Sequence, residues 1–109
     1  MKIDRELLKG TSATLVLALL AESPAHGYEL AQRIKARTEG ILTLGEGTLY
    51  PLLYNLEEKG WIGSTWRSGA GQRRRRVYSV TSTGRKQLAK RTAQWRSLVT
   101  CMDLALGTS

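Results

Sequence analysis

Four consecutive arginines, Arg73–Arg76, constrain the fold of this 109-residue chain more than any other feature. They follow a glycine-rich segment at 68–72 and lead directly into Val77 and Tyr78, a pattern that predicts a flexible turn and a β-strand over residues 73–80. Alternation along a strand sends Arg73 and Arg75 to one side and Arg74 and Arg76 to the other. Such a strand must leave the hydrophobic core.

The arginines have no carboxylate near them in sequence, and a row of bound phosphates would supply the counter-charge. A solvated edge strand that uses charge to block aggregation is the alternative, although such strands usually carry fewer and mixed charges. The formal charge of the whole chain is +8. Residues 1–59 hold 7 basic and 8 acidic side chains, whereas residues 60–109 hold 10 basic side chains and only Asp103. This local excess favours a polyanionic partner, nucleic acid first and an anionic membrane second.

Single copies of cysteine and histidine argue against several classes of protein. One cysteine, Cys101, gives no intrachain disulfide framework and no zinc cluster of cysteines, and we expect no cofactor or metal. We expect Cys101 to be buried and inert, as in a reducing cytoplasm. The lone His26 is expected to shape a turn between helices. Enzymatic activity ranks last, because no acid and base are paired at credible spacing.

An apolar run at residues 13–21 imitates a secretory leader, because Lys2, Arg5 and Lys9 precede it. Asp4 and Glu6 offset that basic segment, and the run is shorter than the roughly 20 residues that span a bilayer. We therefore favour a buried first helix, capped by Thr11 or Ser12 and running to about Glu22, and no membrane partner.

Three further helices and two strands follow from periodicity. A second helix comes after the break at 23–27, with Tyr28, Ala31 and Ile34 on one face, and ends at Gly40. A third helix ends at Gly60 and should begin near Gly47 or Thr48, since Pro51 is tolerated only in a first turn. Strands over 61–67 and 73–80 form a basic hairpin, and a long terminal helix starts near Ser82. The predicted fold class is mostly α with a small β-hairpin, an α+β domain.

The third helix is amphipathic in a way that suits recognition of a duplex. Leu49, Leu52, Leu53 and Leu56 fall in one sector of about 100°. The outer side carries groups of the kind that read base edges or contact phosphates, namely Tyr50, Pro51, Tyr54 and Asn55. Thr48 and the free amides after Gly47 suit a phosphate. A polar outer face is common to surface helices, so this prediction depends on the adjacent basic hairpin. Together they match a helix-turn-helix with a basic wing.

The terminal helix carries one continuous stripe with i, i+4, i+7 spacing: Leu88, Thr92, Trp95, Val99, Met102 and Leu106. Small domains bury a modest fraction of their surface, which makes oligomerisation a reasonable expectation. Trp95 in the middle of the stripe is either an aromatic of a subunit interface or a stacking plate for a planar ligand.

Several motifs in this order resemble the PadR family of bacterial transcriptional regulators, over nearly the whole chain. They are Leu7–Thr11, His26–Leu30, Gly47–Leu53, Leu56–Gly60, Arg73–Tyr78 after its glycine-rich turn, and Val80–Gly84. The resemblance implies a winged helix-turn-helix domain, residues 1–80, followed by a C-terminal dimerisation helix, residues 81–109. It implies DNA binding as a homodimer, usually as a repressor released by a small molecule, with the terminal helices of two subunits paired through the stripe.

Individual residues also take roles from this resemblance. Tyr28 and Tyr50 fall on the family's tyrosine positions near the DNA-facing side, and Arg75 and Arg76 on the basic positions of the wing. Family wings often carry one or two acidic residues near the turn, whereas none lies between Trp61 and Tyr78 here. Stronger and less discriminating contact with the DNA backbone would follow.

The leading hypothesis is therefore a cytoplasmic, sequence-specific, homodimeric DNA-binding repressor that acts on a near-palindromic operator in double-stranded DNA. A small aromatic effector bound at Trp95 is part of that hypothesis. A structural protein that binds DNA or RNA without sequence preference or effector is the main alternative. A protein-interaction or anionic-membrane module is a third, and it leaves the tyrosine-rich outer face without a purpose.

Overall fold

The structure, a computed structural model, describes Ile3, Leu8, residues 10–68 and residues 74–108. Within these residues the order of elements is three helices, a hairpin and a terminal helix, as predicted, with one additional short strand. The elements are α1 (Ser12–Glu22), β1 (Ala25–His26), α2 (Gly27–Arg37), α3 (Glu46–Glu58), β2 (Ile62–Ser68), β3 (Arg74–Val80) and α4 (Ser82–Leu106). The predicted α+β fold class is confirmed.

Helix α1 lies at the centre of the hydrophobic core. Val16 and Leu17 are fully buried, and Leu19 and Leu20 nearly so, because the helix is apolar on most of its faces. Thr11 stands at the N-cap, but its hydroxyl donates to the Leu8 carbonyl oxygen (2.8 Å) instead of capping the helix. Among the described residues, no helix combines the length and hydropathy needed to cross a membrane.

The sheet has three antiparallel strands in the order β1-β3-β2. We predicted only the hairpin, since two residues are too short to show a strand pattern. Ala25 pairs with Tyr78 and His26 with Val77, and this pairing makes the arginine-bearing strand β3 central along part of its length. The inner face of the sheet buries Ala25, Ile62 and Tyr78 against the helices.

Helix α2 turns a different face to the core from the one we predicted. Leu30 and Ile34 are buried, whereas Tyr28 is 65% exposed. At 100° per residue Tyr28 lies about 120° from Ile34 around the helix, and Leu30 only about 40° from it. The helix stops as expected, with Gly40 in the left-handed region (φ 78°) and its N–H donating to the Lys35 carbonyl oxygen.

Helix α3 begins earlier than predicted, at Glu46 after the N-cap Gly45. Pro51 is therefore the sixth helical residue and lies in the second turn. Our restriction of Pro51 to the first turn was wrong, since the helix accommodates the missing N–H one turn further in. The predicted end is confirmed, because Gly60 takes a positive φ of 75° directly after the C-cap.

Helix α4 is held to the body at its N-terminal end only. Thr81 caps it by accepting the Gly84 N–H (3.0 Å), and a Cβ at position 84 would overlap the Trp61 carbonyl oxygen. Trp61 also lies against two cations, Lys59 Nζ at 4.7 Å and the Arg91 guanidinium at 5.0 Å from the ring centre. Residues 93–102 of the helix are all exposed. The helix thus projects from the domain.

Candidate nucleic-acid interface

The outer face of α3 is polar, aromatic and open to solvent. Leu49, Leu53 and Leu56 are at most 1% exposed and anchor the opposite face in the core. The predicted reading side chains are all exposed, namely Thr48, Tyr50, Pro51, Tyr54 and Asn55. This arrangement leaves a helix whose position is fixed by packing and whose outer groups are free to meet a ligand.

Two details of this helix modify the predicted contacts. The Thr48 N–H donates to the Gly45 carbonyl oxygen (3.0 Å), so the amide that we expected to be free for a phosphate is engaged. The carboxylate of Glu58 accepts a hydrogen bond from Tyr54 and raises the pKa of that phenol. Tyr54 therefore stays protonated and holds a local partner on the helix surface.

Strands β2 and β3 form the basic wing, and the side chains alternate as predicted. Arg74 and Arg76 lie on the face that carries Trp66, with their guanidinium carbons 5.3 and 5.9 Å from the centre of its ring. Arg75 lies on the other face, directly opposite Arg67 in the register. Two like charges placed opposite each other repel, which favours an anion between or beside them. Arg73 and the predicted turn at 69–72 fall outside the described residues.

Arg76 has a counter-charge that the sequence did not indicate. Its Nη2 lies 3.0 Å from Glu57 Oε1, and its Nε donates to Ser64 Oγ (2.8 Å). The Ser64 hydroxyl in turn donates to Glu57 Oε2 (2.7 Å). We expected all four arginines to lack a carboxylate, and for Arg76 this was wrong, because the fold supplies Glu57 from 19 residues away. The network joins the wing to α3.

A cleft of about 630 Å³ opens between the wing, the start of α2 and α3. Its lining is aromatic and basic, and it contains no acidic side chain. The lining residues are His26, Gly27, Tyr28, Tyr50, Trp66, Arg74, Arg75, Arg76 and Tyr78. Tyr50 lies so close to Gly27 that a Cβ there would overlap its phenol. Burial raises the pKa of Tyr78 at the base of the cleft, although the nearby Arg76 opposes the shift.

His26 shapes the turn between α1 and α2, as we expected. It is the N-cap of α2, and its Nδ1 accepts the Glu29 N–H (3.2 Å). The same ring places Nε2 2.8 Å from Arg75 Nη1 of the wing. The histidine therefore touches both the start of a helix and the basic strand.

The stripe on α4 divides into two parts. Leu88 packs against the core and Thr92 is half-buried, whereas Trp95, Val99, Met102 and Leu106 are exposed. Leu98, which we did not include, is 50% exposed on the same side. Its place three residues after Trp95 and four before Met102 could have identified it. Cys101 is exposed, so our expectation of a buried thiol was wrong; this part of α4 has no body to be buried against.

The structure thus brings five of the predicted DNA-binding residues together around the cleft: Tyr28, Tyr50, Arg74, Arg75 and Arg76. Thr48, Pro51, Tyr54 and Asn55 lie on α3 outside it, and their contact with DNA stays a prediction. Sequence reasoning missed His26, Trp66 and Tyr78 as cleft residues. Strand alternation could have found Trp66 and Tyr78, whereas the position of His26 depends on a non-local strand pairing. In the described ranges no group of histidine, cysteine and carboxylate side chains is arranged to hold a metal ion.

Comparison with known proteins gives this arrangement a family context. Residues 16–90 match the model of the transcriptional regulator PadR-like family. Transcriptional regulator Rv3488 of Mycobacterium tuberculosis is 34% identical over 86 residues, which cover 79% of this chain and 77% of that protein. An uncharacterised protein X of Lysinibacillus sphaericus is 28% identical over 102 residues, 94% of each chain.

Solved structures agree with the sequence comparisons. A PadR family transcriptional regulator from Eggerthella lenta superposes with a TM-score of 0.82 at 35% identity, covering 95% of this chain and 88% of that one. A transcriptional regulator from Clostridium thermocellum gives a TM-score of 0.83 at 28% identity, covering 90% of this chain and 95% of that one.

Proposed function

Because the chain belongs to the PadR-like family of transcriptional regulators, which are DNA-binding proteins and not enzymes, we propose that it is a sequence-specific homodimeric repressor. The observation that carries this proposal is the pairing of the exposed outer face of α3 with a basic wing across one cleft. The cleft has the charge and the aromatic lining that suit a nucleic-acid backbone, and the helix beside it presents groups that read base edges.

The proposed division of labour follows from charge. Residues 1–80 form the DNA-binding unit. Within it, Arg73, Arg74, Arg75 and Arg76 of the wing contact phosphates, with Tyr28 and Thr48, and supply affinity that depends on salt. Tyr50, Pro51, Tyr54 and Asn55 enter the major groove and supply discrimination between bases. An asparagine pairs bidentately with adenine, so Asn55 is the first candidate for a base contact.

Residues 81–109 form the proposed dimerisation unit. The exposed apolar side chains of α4 have no partner within the described part of the chain, and the same helix of a second subunit would cover them. The interface would use Leu88, Thr92, Trp95, Val99, Met102 and Leu106. Two recognition helices would then lie about 34 Å apart and read a near-palindromic operator. Such a protein acts in the cytoplasm, where bacterial DNA is reached directly.

Selection of binding sites from random duplex DNA tests this function. We expect enrichment of a near-palindrome, and a labelled selected duplex should resist competition by random DNA and random RNA. Equal competition by all three nucleic acids would instead indicate a non-specific nucleic-acid-binding protein without an effector. Binding to anionic liposomes with no DNA binding would overturn both functions.

Release by a small planar ligand is the last part of the proposal. Trp95 is 49% exposed on the apolar face of α4, so two copies would frame a space between the subunits. Planar aromatic compounds should quench the fluorescence of Trp95 saturably and lower DNA affinity, and Trp95→Ala should abolish both effects. Quenching that persists in Trp95→Ala would assign it to Trp61 or Trp66 and remove the support for this site.

Whether the protein represses is tested by transcription in vitro. We expect addition of the protein to reduce transcript from a template whose promoter overlaps the selected site. A scrambled site provides the control. An increase in transcript would overturn the direction of regulation and leave DNA binding intact.

A further inference from the structure

The ring of His26 faces two hydrogen-bond donors at once. The backbone N–H of Glu29 points at Nδ1 (3.2 Å), and Nη1 of Arg75 lies 2.8 Å from Nε2. A backbone N–H and a guanidinium can only donate, whereas a neutral imidazole has one N–H and one acceptor nitrogen. The ring can therefore accept from one of the two groups, and a protonated ring could accept from neither.

Capping of α2 decides which nitrogen keeps the lone pair. As the N-cap residue, His26 satisfies a backbone N–H that has no partner inside the helix, and this requires an unprotonated Nδ1. Nε2 then carries the hydrogen and points at Arg75, so two donors meet at a distance where an acceptor oxygen would normally lie between or beside them. That oxygen is absent from the protein side of the site. No acidic residue lines the cleft, and the nearby Glu29 carboxylate is paired with Arg33 (3.4 Å).

We infer that His26 Nε2 and the Arg75 guanidinium together bind one phosphate oxyanion at the mouth of the cleft. A phosphate has several acceptor oxygens, so one group can accept from both donors, and the guanidinium fork adds a charge-assisted bond. Arg67 directly across the sheet from Arg75 raises the positive potential on the same face. The inference deepens the proposed function and depends on it for the natural source, a phosphate of the DNA backbone; a free phosphate would share the same chemistry.

Nuclear magnetic resonance of the single histidine tests the site in the intact protein. With 15N-labelled histidine at pH 8, we expect an unprotonated Nδ1 and a protonated Nε2. Inorganic phosphate should shift the Nε2 resonance saturably, and Arg75→Ala should abolish that shift. A ring protonated at Nδ1 would contradict the inference, as would a phosphate response unchanged in Arg75→Ala.

DNA provides the second arm and separates the two sources. A response to both the selected duplex and inorganic phosphate, with competition between them, supports one shared site. A response to the duplex alone assigns the site to a backbone phosphate, and replacement of one phosphate at a time by neutral methylphosphonate should then identify it. A response to inorganic phosphate with no duplex response overturns the backbone source. No response to either ligand overturns the site itself.

His26→Asn is the matched variant that keeps the helix cap, because asparagine is a preferred N-cap residue but is too short to offer the Nε2 donor. We expect its stability to be near wild type and its affinity for the selected duplex to fall about 10-fold, the effect of one lost charge-assisted bond. Arg75→Ala in the His26→Asn background should then cost less than in the wild type. Full additivity would contradict a shared phosphate. Failure of the wild type to bind any duplex would count against the proposed function, while the inorganic phosphate titration would still judge the site.

Discussion

The wing shows that identical side chains can carry different duties within one strand. Arg74 stacks over Trp66, Arg75 faces His26, and Arg76 is neutralised by Glu57. Their sequence is uniform, so these differences come from the alternation of the strand and from residues distant in the chain. A positive charge that already has a carboxylate partner attracts a phosphate less strongly than one without.

Salt dependence should therefore separate Arg74 from Arg76. Arg74→Ala should lower the slope of log affinity against log salt by about 0.9, the value for one phosphate contact. Arg76→Ala should lower it clearly less, because Glu57 already offsets its charge. Fluorescence anisotropy with one duplex between about 50 and 200 mM salt measures both slopes. Equal reductions would contradict the role assigned to Glu57.

Gly27 should be sensitive for a steric reason. A Cβ at this position would overlap the phenol of Tyr50, whereas one at Gly63 would meet open space. Gly27→Ala should displace Tyr50 and reduce DNA affinity several-fold, with little loss in the free energy of unfolding, since the end of a side chain can move more readily than backbone. Gly63→Ala serves as the control for DNA binding. A fully retained affinity in Gly27→Ala would contradict a DNA contact by Tyr50.

At the scale of elements, the main question is what fixes the wing relative to α3. The Glu57, Ser64 and Arg76 side chains connect the two elements through three polar contacts. Glu57 and Arg76 are 29% and 45% exposed, so solvent screens the pair and its effect on stability is modest. Its larger consequence is geometric, because the wing and the helix must meet one duplex together.

A double-mutant cycle tests this connection. We expect Glu57→Gln and Arg76→Ala to couple by about 0.5–1 kcal/mol in the free energy of unfolding, measured in urea. Glu58→Gln provides a matched control on the next residue, whose carboxylate engages Tyr54 instead of the wing. Glu57→Gln should also weaken binding of the selected duplex. Coupling of Arg76 to Glu58 as strong as to Glu57 would show that the network is not specific.

Local patterns predicted most of these elements, whereas contacts between distant residues escaped them. The leucines of α3, the glycine stops at Gly40 and Gly60 and the alternating arginines were all visible in sequence. Strand β1 was not, because two residues give no period and its pairing with β3 depends on the whole fold. The same limit hid the roles of His26 and Glu57. Tyr28 was placed on the wrong face because a three-residue spacing drifts around a helix.

For the whole molecule, the projecting α4 determines the shape. The radius of gyration is 15.3 Å, above the roughly 13 Å of a compact domain of this length. The helix has 25 residues and a length of about 37 Å, and much of its apolar surface is exposed. An exposed apolar surface of this kind indicates an interface with another protein.

Dimerisation through this surface is tested by charge substitution. Val99→Asp or Met102→Asp should shift the protein from dimer to monomer, because a carboxylate would be buried without a partner. Ser97→Asp lies on the opposite side of α4 and is the matched control. Sedimentation equilibrium measures the masses. A dimer that survives Val99→Asp and Met102→Asp would place the interface elsewhere.

The central claim is that α3 reads sequence while the wing supplies affinity. The most direct measurement is the ratio of affinities for the selected duplex and a scrambled duplex, compared between wild type, Asn55→Ala and the double variant Arg74→Ala with Arg75→Ala. We predict that Asn55→Ala lowers this ratio by about 5- to 100-fold with an unchanged salt slope. The arginine variant should weaken both duplexes to a similar extent and flatten the slope. An unchanged ratio in Asn55→Ala, together with an altered ratio in the arginine variant, would contradict the account.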